Sequence, residues 1–189
     1  MKVAAIGLTA LEIDFACLAT LSKFVREGHE VYIIVASDAK SIDWTEDEAR
    51  NFFEEFGLAN MHCVDRRDYS TVTQENASAL DAYIKKFKPD MAIMPYWKSQ
   101  NQQRKILART ALIACRGIGS ILMYELDKNP GFTPTISFVV SAKELAAKVS
   151  AIESGSILGL TVRAAVDNSD TAAESFECHR MSLVEDSWL

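Results

Sequence analysis

Lys2-Val3-Ala4-Ala5-Ile6-Gly7 and Val31-Tyr32-Ile33-Ile34-Val35-Ala36 are the stretches on which the fold turns. Both are short, continuous and apolar, and the second is rich in β-branched residues. A strand buried on both faces reads this way, and such strands belong to parallel sheets covered by helices. Between them, Ile13, Cys17, Leu21, Phe24 and Val25 fall on one helical stripe. Ile13 to Glu27 is therefore read as helix, closed by Gly28 at its C′ position.

The same alternation continues down the chain. Thr45-Glu46-Asp47-Glu48 is a capping box, with Thr45 as N-cap and Glu48 at N3. It opens a helix that runs to Gly57. His62 to Val64 is a third strand, and Thr71 to Phe87 a helix stopped by Lys88-Pro89. Asp90 to Met94 is a fourth strand ended by Pro95. Asn101 to Arg116 is a helix closed by Gly117, and Ser120 to Leu126 a fifth strand. Thr135 to Val140 and Ala172 to Met181 read as strands, and Ala142 to Ile152 as an amphipathic helix. Ile157 to Val166 fits helix or strand. Strand and helix in this order predict a three-layer, Rossmann-like α/β fold, with helices on both faces of a mostly parallel sheet. No linker, repeat or low-complexity stretch divides the chain, so residues 1–189 are read as a single domain.

Composition narrows the function classes. A chain of 189 residues can bury roughly 70% of its unfolded surface, so it needs no staple. The formal net charge is −6. Arg66-Arg67 and Lys85-Lys86-Phe87-Lys88 are too short to make a nucleic-acid face, so no nucleic-acid partner is expected. No apolar run approaches the roughly 18 residues of a membrane span, and the first apolar run is too short for a signal peptide. Cys17, Cys63, Cys115 and Cys178 share no CxxC spacing and sit in apolar or mixed elements. That composition favours a reducing compartment, and a cytoplasmic, membrane-free protein is expected.

In an open α/β sheet, ligands bind beyond the carboxyl ends of the strands. Two loops therefore matter. Leu8-Thr9-Ala10-Leu11-Glu12 follows the first strand. It lacks the glycines of a dinucleotide loop, and Leu8, Leu11 and Phe15 would crowd a pyrophosphate. Glu12 and Asp14 could serve as a general base pair or a hard-metal site. The plainer reading is that they are acids favoured at a helix start by the dipole. The second loop, Tyr96 to Arg104, joins aromatic faces to amide forks. Amides both donate and accept, as sugar hydroxyls do, and rings can cover a sugar's apolar face. A polar run into a helix capped near Asn101 is the plainer account of it.

The order of residues resembles the LmbE-like (PIG-L) de-N-acetylases. The likeness rests on Ala5-Ile6-Gly7, Cys17, Thr20-Leu21, Glu27-Gly28-His29-Glu30-Val31, Glu48-Ala49-Arg50, Phe56-Gly57-Leu58, Lys88-Pro89-Asp90, Arg104, Ala111-Leu112, Tyr124-Glu125, Phe132, Pro134 and Ala173-Glu174-Ser175-Phe176. It covers most of the chain. It implies the Rossmann-like fold and kinship with zinc hydrolases that remove acetyl groups from amino sugars and related amines. It also makes a homo-oligomer plausible.

The departures lie where that family does its chemistry. Its first loop reads His-Pro-Asp-Asp-x-Glu, where the His and the second Asp bind zinc and the first Asp is the base. Those places fall here on Thr9, Ala10, Leu11, Glu12, Ile13 and Asp14. Its other metal loop, His-Pro-Asp-His-Arg, becomes Gln100-Asn101-Gln102-Gln103-Arg104, so Gln103 stands for a His ligand. An arginine common at the start of the family's second helix falls on Thr45. A catalytic zinc needs about three donors from His, Cys or carboxylate, and amides and a hydroxyl are poor substitutes. No zinc, no other cofactor and no zinc-dependent deacetylation are expected.

His29, His62 and His179 belong to no ligand pair, and Cys17 has no His nearby in sequence to activate it. A formyltransferase opening resembles residues 1–35 superficially, but its His-x-Ser-Leu-Leu-Pro stretch is absent. Two readings follow. The first is a non-catalytic or regulatory relative linked to carbohydrate metabolism, binding a sugar-like ligand through Thr9, Leu11, Glu12, Trp97, Gln100, Gln103 and Arg104, or scaffolding a partner. The second is a metal-independent hydrolase or acyl-transfer enzyme acting on an amino sugar or sugar nucleotide. In it Glu12 or Asp14 is the base and Arg104 the electrophilic partner.

Overall fold

In the computed structural model, residues 1–36, 45–64, 68–126, 129–141 and 171–181 are described. The elements run β1 (Lys2–Gly7), α1 (Ala10–Arg26), β2 (Glu30–Val35), α2 (Glu46–Glu55), β3 (Met61–Cys63), α3 (Gln74–Phe87), β4 (Met91–Pro95), α4 (Gln102–Ala114), β5 (Ser120–Tyr124), β6 (Ile136–Ser141) and β7 (Thr171–Arg180). They form one sheet of order β3-β2-β1-β4-β5-β7-β6. The first five strands are parallel. β7 pairs antiparallel with β5 and with β6. The expected helix at Ala142–Ile152 and the ambiguous Ile157–Val166 lie outside the described residues.

The strand pleat sorts β1 between two cores. Ala4 and Ile6 join a cluster with Leu80, Ile84 and Phe87 of α3 and Leu107 and Ala111 of α4. Val3 and Ala5 join Ile13, Leu18 and Phe24 of α1 and Phe53 of α2 on the other face. Successive side chains point to opposite faces of a strand. That is why a continuous apolar run marks a sheet covered on both sides. The two parallel neighbours of β1 are β2 and β4, and chain order reverses between β1 and β4. α1 leaves that point on one face and α4 on the other, the arrangement beside which open α/β sheets bind their ligands.

At α1 and α3 the boundaries are set by caps. α1 begins at Ala10 rather than Ile13, because Thr9 is its N-cap. α3 begins at Gln74, with the Thr73 side chain accepting from the Asn76 N–H. Its end is set by Lys88, which takes the left-handed conformation at φ 51°. Gly28 (φ 81°) and Gly57 (φ 77°) also sit at positive φ, as expected of C′ glycines. Gly117 does not. α4 ends at Ala114, and the turn that follows needs no left-handed residue. β4 includes Pro95, β5 stops at Tyr124, and β3 sits one residue earlier than expected.

Candidate functional site

The site begins with the cap of α1. The Thr9 hydroxyl accepts the Glu12 N–H at 3.3 Å. That bond places Glu12 in the first helical turn, at the carboxyl end of β1. Its carboxylate then folds back, and Oε2 accepts the Leu8 N–H at 3.0 Å. Oε1 accepts from Arg104 Nε at 2.7 Å. Arg104 comes from the first turn of α4, where the Asn101 side chain caps the helix by accepting the Arg104 N–H at 3.1 Å. Two residues 92 positions apart thus join the two loops in one buried ion pair. Their side chains are 16% and 10% exposed for Arg104 and Glu12.

Burial raises the Glu12 carboxyl above its ordinary pKa. The Arg104 guanidinium and the Leu8 and Thr9 contacts oppose that rise without cancelling it. A carboxylate removed from water favours its neutral form, and an adjacent cation favours the charged one. Tyr124 lies within the electrostatic reach of the pair. Its hydroxyl donates to the Ile6 carbonyl at 3.1 Å. Burial and the Glu12 charge hold it well above the ordinary tyrosine range, so it acts as a neutral donor.

The second loop is strapped by residues 129–133. The buried Asn129 side chain accepts the Gln100 N–H at 2.8 Å, and the Asn129 N–H donates to Glu125. The Tyr96 hydroxyl donates to the Gly131 carbonyl at 2.9 Å, and the Phe132 ring packs edge-on to Tyr96. Asn129 gave no sequence signal, because its partner Gln100 lies 29 residues away. The turn 96–99 closes through Ser99 N–H to the Tyr96 carbonyl, and the Ser99 hydroxyl accepts the Asn101 N–H.

The structure therefore brings Thr9, Glu12 and Arg104 together. Leu11 is partly buried beside them on α1, and so is Phe15. Leu8, expected to crowd the loop, continues the pleat of β1 and is buried with Ala36, Val64 and Met94. Asp14 is not a solvated acid at a helix start: it is fully buried in the second turn of α1. Trp97 is partly buried, and the Lys98 ammonium lies 4.6 Å from its ring centre. Gln100 and Gln103 are exposed. Of the histidines, His29 packs on Phe24, His62 lies against Phe87, and His179 is exposed on β7. Cys17 is fully buried and its thiol donates to the Ile13 carbonyl at 3.4 Å. Burial pushes the Cys115 thiol up to about 12, far from a reactive thiolate.

The positions that the family resemblance puts at a metal do not fit zinc. Thr9 offers a hydroxyl already engaged as a cap, and Gln103 offers a neutral amide at the surface. Glu12 alone is a suitable ligand, and a guanidinium sits on it. A dication there would have to displace that like charge. Among the described residues no three of His, Cys, Asp and Glu come together. Thr9→Ala should cost about 1 kcal/mol, the ordinary worth of an N-cap. The check is chemical denaturation with and without added zinc, and the loss should be equal in both.

The architecture is that of the LmbE/PIG-L-type deacetylase fold, as the sequence resemblance implies. The chain is similar to the conserved protein TT1542 from Thermus thermophilus, at a TM-score of 0.74 and 16% identity, over 96% of this chain and 95% of that one. It is similar to the N,N'-diacetylchitobiose deacetylase from Pyrococcus horikoshii, at 0.70 and 16%, over 95% and 84% of the two chains. It is also similar to GalB, the 4-carboxy-2-hydroxymuconate hydratase from Pseudomonas putida, at 0.66 and 11%, over 98% and 99%. At these identities the likeness is one of fold. No family model and no curated protein matches the sequence. No helix among the described residues is long and apolar enough to cross a membrane.

Proposed function

We propose that this protein keeps the deacetylase frame without zinc-dependent deacetylation, and binds a sugar-like ligand between the loops after β1 and β4. The observation that carries this reading is the Arg104 Nε to Glu12 Oε1 contact of 2.7 Å. It occupies the one suitable ligand with an internal cation, and the place of the base is Leu11. Without an ion, nothing there polarises a carbonyl or acidifies a water as zinc does. A sugar-like ligand is supported by the chitobiose deacetylase among similar structures, and by Trp97, Gln100 and Gln103 on the second loop. Such a role fits a regulatory or binding protein linked to carbohydrate metabolism. Four cysteines without a disulfide support a reducing, cytoplasmic setting.

A second reading is favoured by one observation. Burial raises the Glu12 carboxyl above its ordinary pKa, with Arg104 opposing the rise, and a raised carboxyl is the direction that suits a general acid. With Arg104 as electrophilic partner, Glu12 could act as a metal-independent acid or base on an amino sugar or sugar nucleotide. The hydratase among the similar structures belongs to a reaction class other than deacetylation.

One experiment separates these outcomes. Purified protein is dialysed against excess zinc, analysed for metal, and titrated with N-acetylglucosamine, glucosamine and UDP-N-acetylglucosamine. The indole signal of Trp97 and the amide of Gln103 are followed by NMR. The main reading expects well under one zinc per chain, saturable shifts insensitive to chelator, and no product. Stoichiometric zinc bound at Glu12, or no shift with any of the three sugars, would overturn it. Turnover in the presence of chelator would establish the second reading instead.

A further inference from the structure

Glu174 is a buried carboxylate that the site chemistry leaves unused. It lies on β7, 8% exposed. Its Oε2 accepts the Thr20 N–H at 2.7 Å and its Oε1 the Ala19 N–H at 3.4 Å. Both amides belong to the middle of α1. There a backbone N–H ordinarily donates to the carbonyl four residues earlier. A side chain entering that ladder is a recognised cause of helix bending. Thr20 differs from Thr110 of α4, whose hydroxyl bonds back to the Ile106 carbonyl at 2.8 Å. The Thr20 hydroxyl is buried without a partner among the described residues. The amide, not the hydroxyl, is what ties Thr20 to its neighbour.

The contact has a consequence for the start of α1. Apolar packing against the sheet is non-directional and tolerates small slides of a helix along or about its axis. A charge-assisted hydrogen bond is short and directional. Glu174 therefore pins α1 to β7 two turns beyond Glu12. The ion pair needs that precision, because Arg104 reaches Glu12 from a different helix on the opposite face of the sheet. β7 follows the rest of the sheet by many residues in sequence, yet it pairs directly with β5, the strand that carries Tyr124.

We infer that Glu174 is a positioning residue of this site: by holding the Ala19 and Thr20 amides it sets where α1 presents Glu12 to Arg104. The inference rests on the Glu12–Arg104 pair being the core of the site, and not on any ligand. It is read by hydrogen exchange of the Arg104 Nε–H and the Thr20 amide, in the full chain without ligand. In Glu174→Gln both signals should shift. The Arg104 Nε–H should exchange at least about tenfold faster, the scale of one lost hydrogen bond to a charged group. Glu174→Asp keeps the charge on a shorter stem. It should restore part of the Arg104 protection, and it serves as the test should the glutamine variant not fold. Met61→Ala, a core truncation in β3 at the far edge of the sheet, controls for general loss of stability. A Thr20 change with an unaltered Arg104 signal would overturn the inference, as would equal loss of Arg104 protection in Met61→Ala. Since no sugar enters the measurement, failure of the ligand reading leaves it standing, and the converse also holds.

Discussion

Arg104→Met should lower stability by about 3 kcal/mol at neutral pH, the loss expected when one partner of a buried ion pair is removed. Methionine keeps much of the stem's volume, so the loss is electrostatic rather than a cavity. The deficit should shrink as the solution is acidified. The sign follows from Glu12. Its folded pKa is already raised by burial, and Arg104 is the chief influence pulling it down. Without Arg104 the folded value climbs further above the unfolded one. A carboxyl with a raised folded pKa has its full stability below the unfolded pKa and loses it as pH rises through the folded value. The variant should therefore be poorest at neutral and alkaline pH, and should approach wild type towards the ordinary glutamate range. Denaturant titrations across that span check it. Adding Glu12→Gln to Arg104→Met should remove the pH dependence of the deficit, because the carboxyl that Arg104 pairs with is then gone. An Arg104→Met deficit equal at every pH would show that the guanidinium acts by packing alone.

Gly7→Ala should cost about 3 kcal/mol, at the upper end of what overpacking a tight core brings. Gly7 ends β1 immediately before the α1 cap. A methyl group there would lie 2.4 Å from Ile13 Cγ1, 2.9 Å from Ile13 Cδ1 and 3.1 Å from the Thr9 carbonyl oxygen. Ile13 is fully buried, so its side chain has nowhere to go. The restriction is one of space, since Gly7 does not adopt positive φ. It lets the first turn of α1 come down onto the strand, which puts Glu12 within reach of the Leu8 N–H. In an Ile13→Ala background the two nearest side-chain atoms are gone. The Gly7→Ala loss measured there by a double-mutant cycle should fall by more than half. If it does not, the Thr9 carbonyl is the obstacle, and the loop itself must have moved.

Much of the frame was legible in the chain. Continuous apolar runs at Lys2–Gly7 and Val31–Ala36 announced strands covered on both faces, and Gly28, Gly57 and the Thr45 box marked helix ends by local chemistry. Where the starts of α1 and α3 differ from the apolar pattern, a cap decides them. Thr9 and Thr73 each accept an amide three residues ahead. Apolar periodicity does not register such a bond, because the first turn of a helix need not yet face the core. Gly117 shows the reverse error: a glycine after a helix suggests a left-handed stop, yet the chain turns there without one.

The site divides in the same way. Residue type alone settles which donors stand beyond β1 and β4. Thr9, Glu12 and Gln103 are a poor set for zinc, and Leu11 is no base, whatever the fold does with them, because such chemistry belongs to the residue type. Local sequence also determined the alternating strands and helices that carry those loops to one end of the sheet. What Glu12 does depends on long-range packing. That Arg104 meets it at 2.7 Å, that Asp14 is buried in the helix body, that Asn129 holds the second loop and that Glu174 grips α1 from β7 all depend on how distant parts of the chain come together. Such contacts follow from strand order, from helix placement to within an ångström and from the loss of water around a charge. None of these leaves a periodic or local trace in the chain.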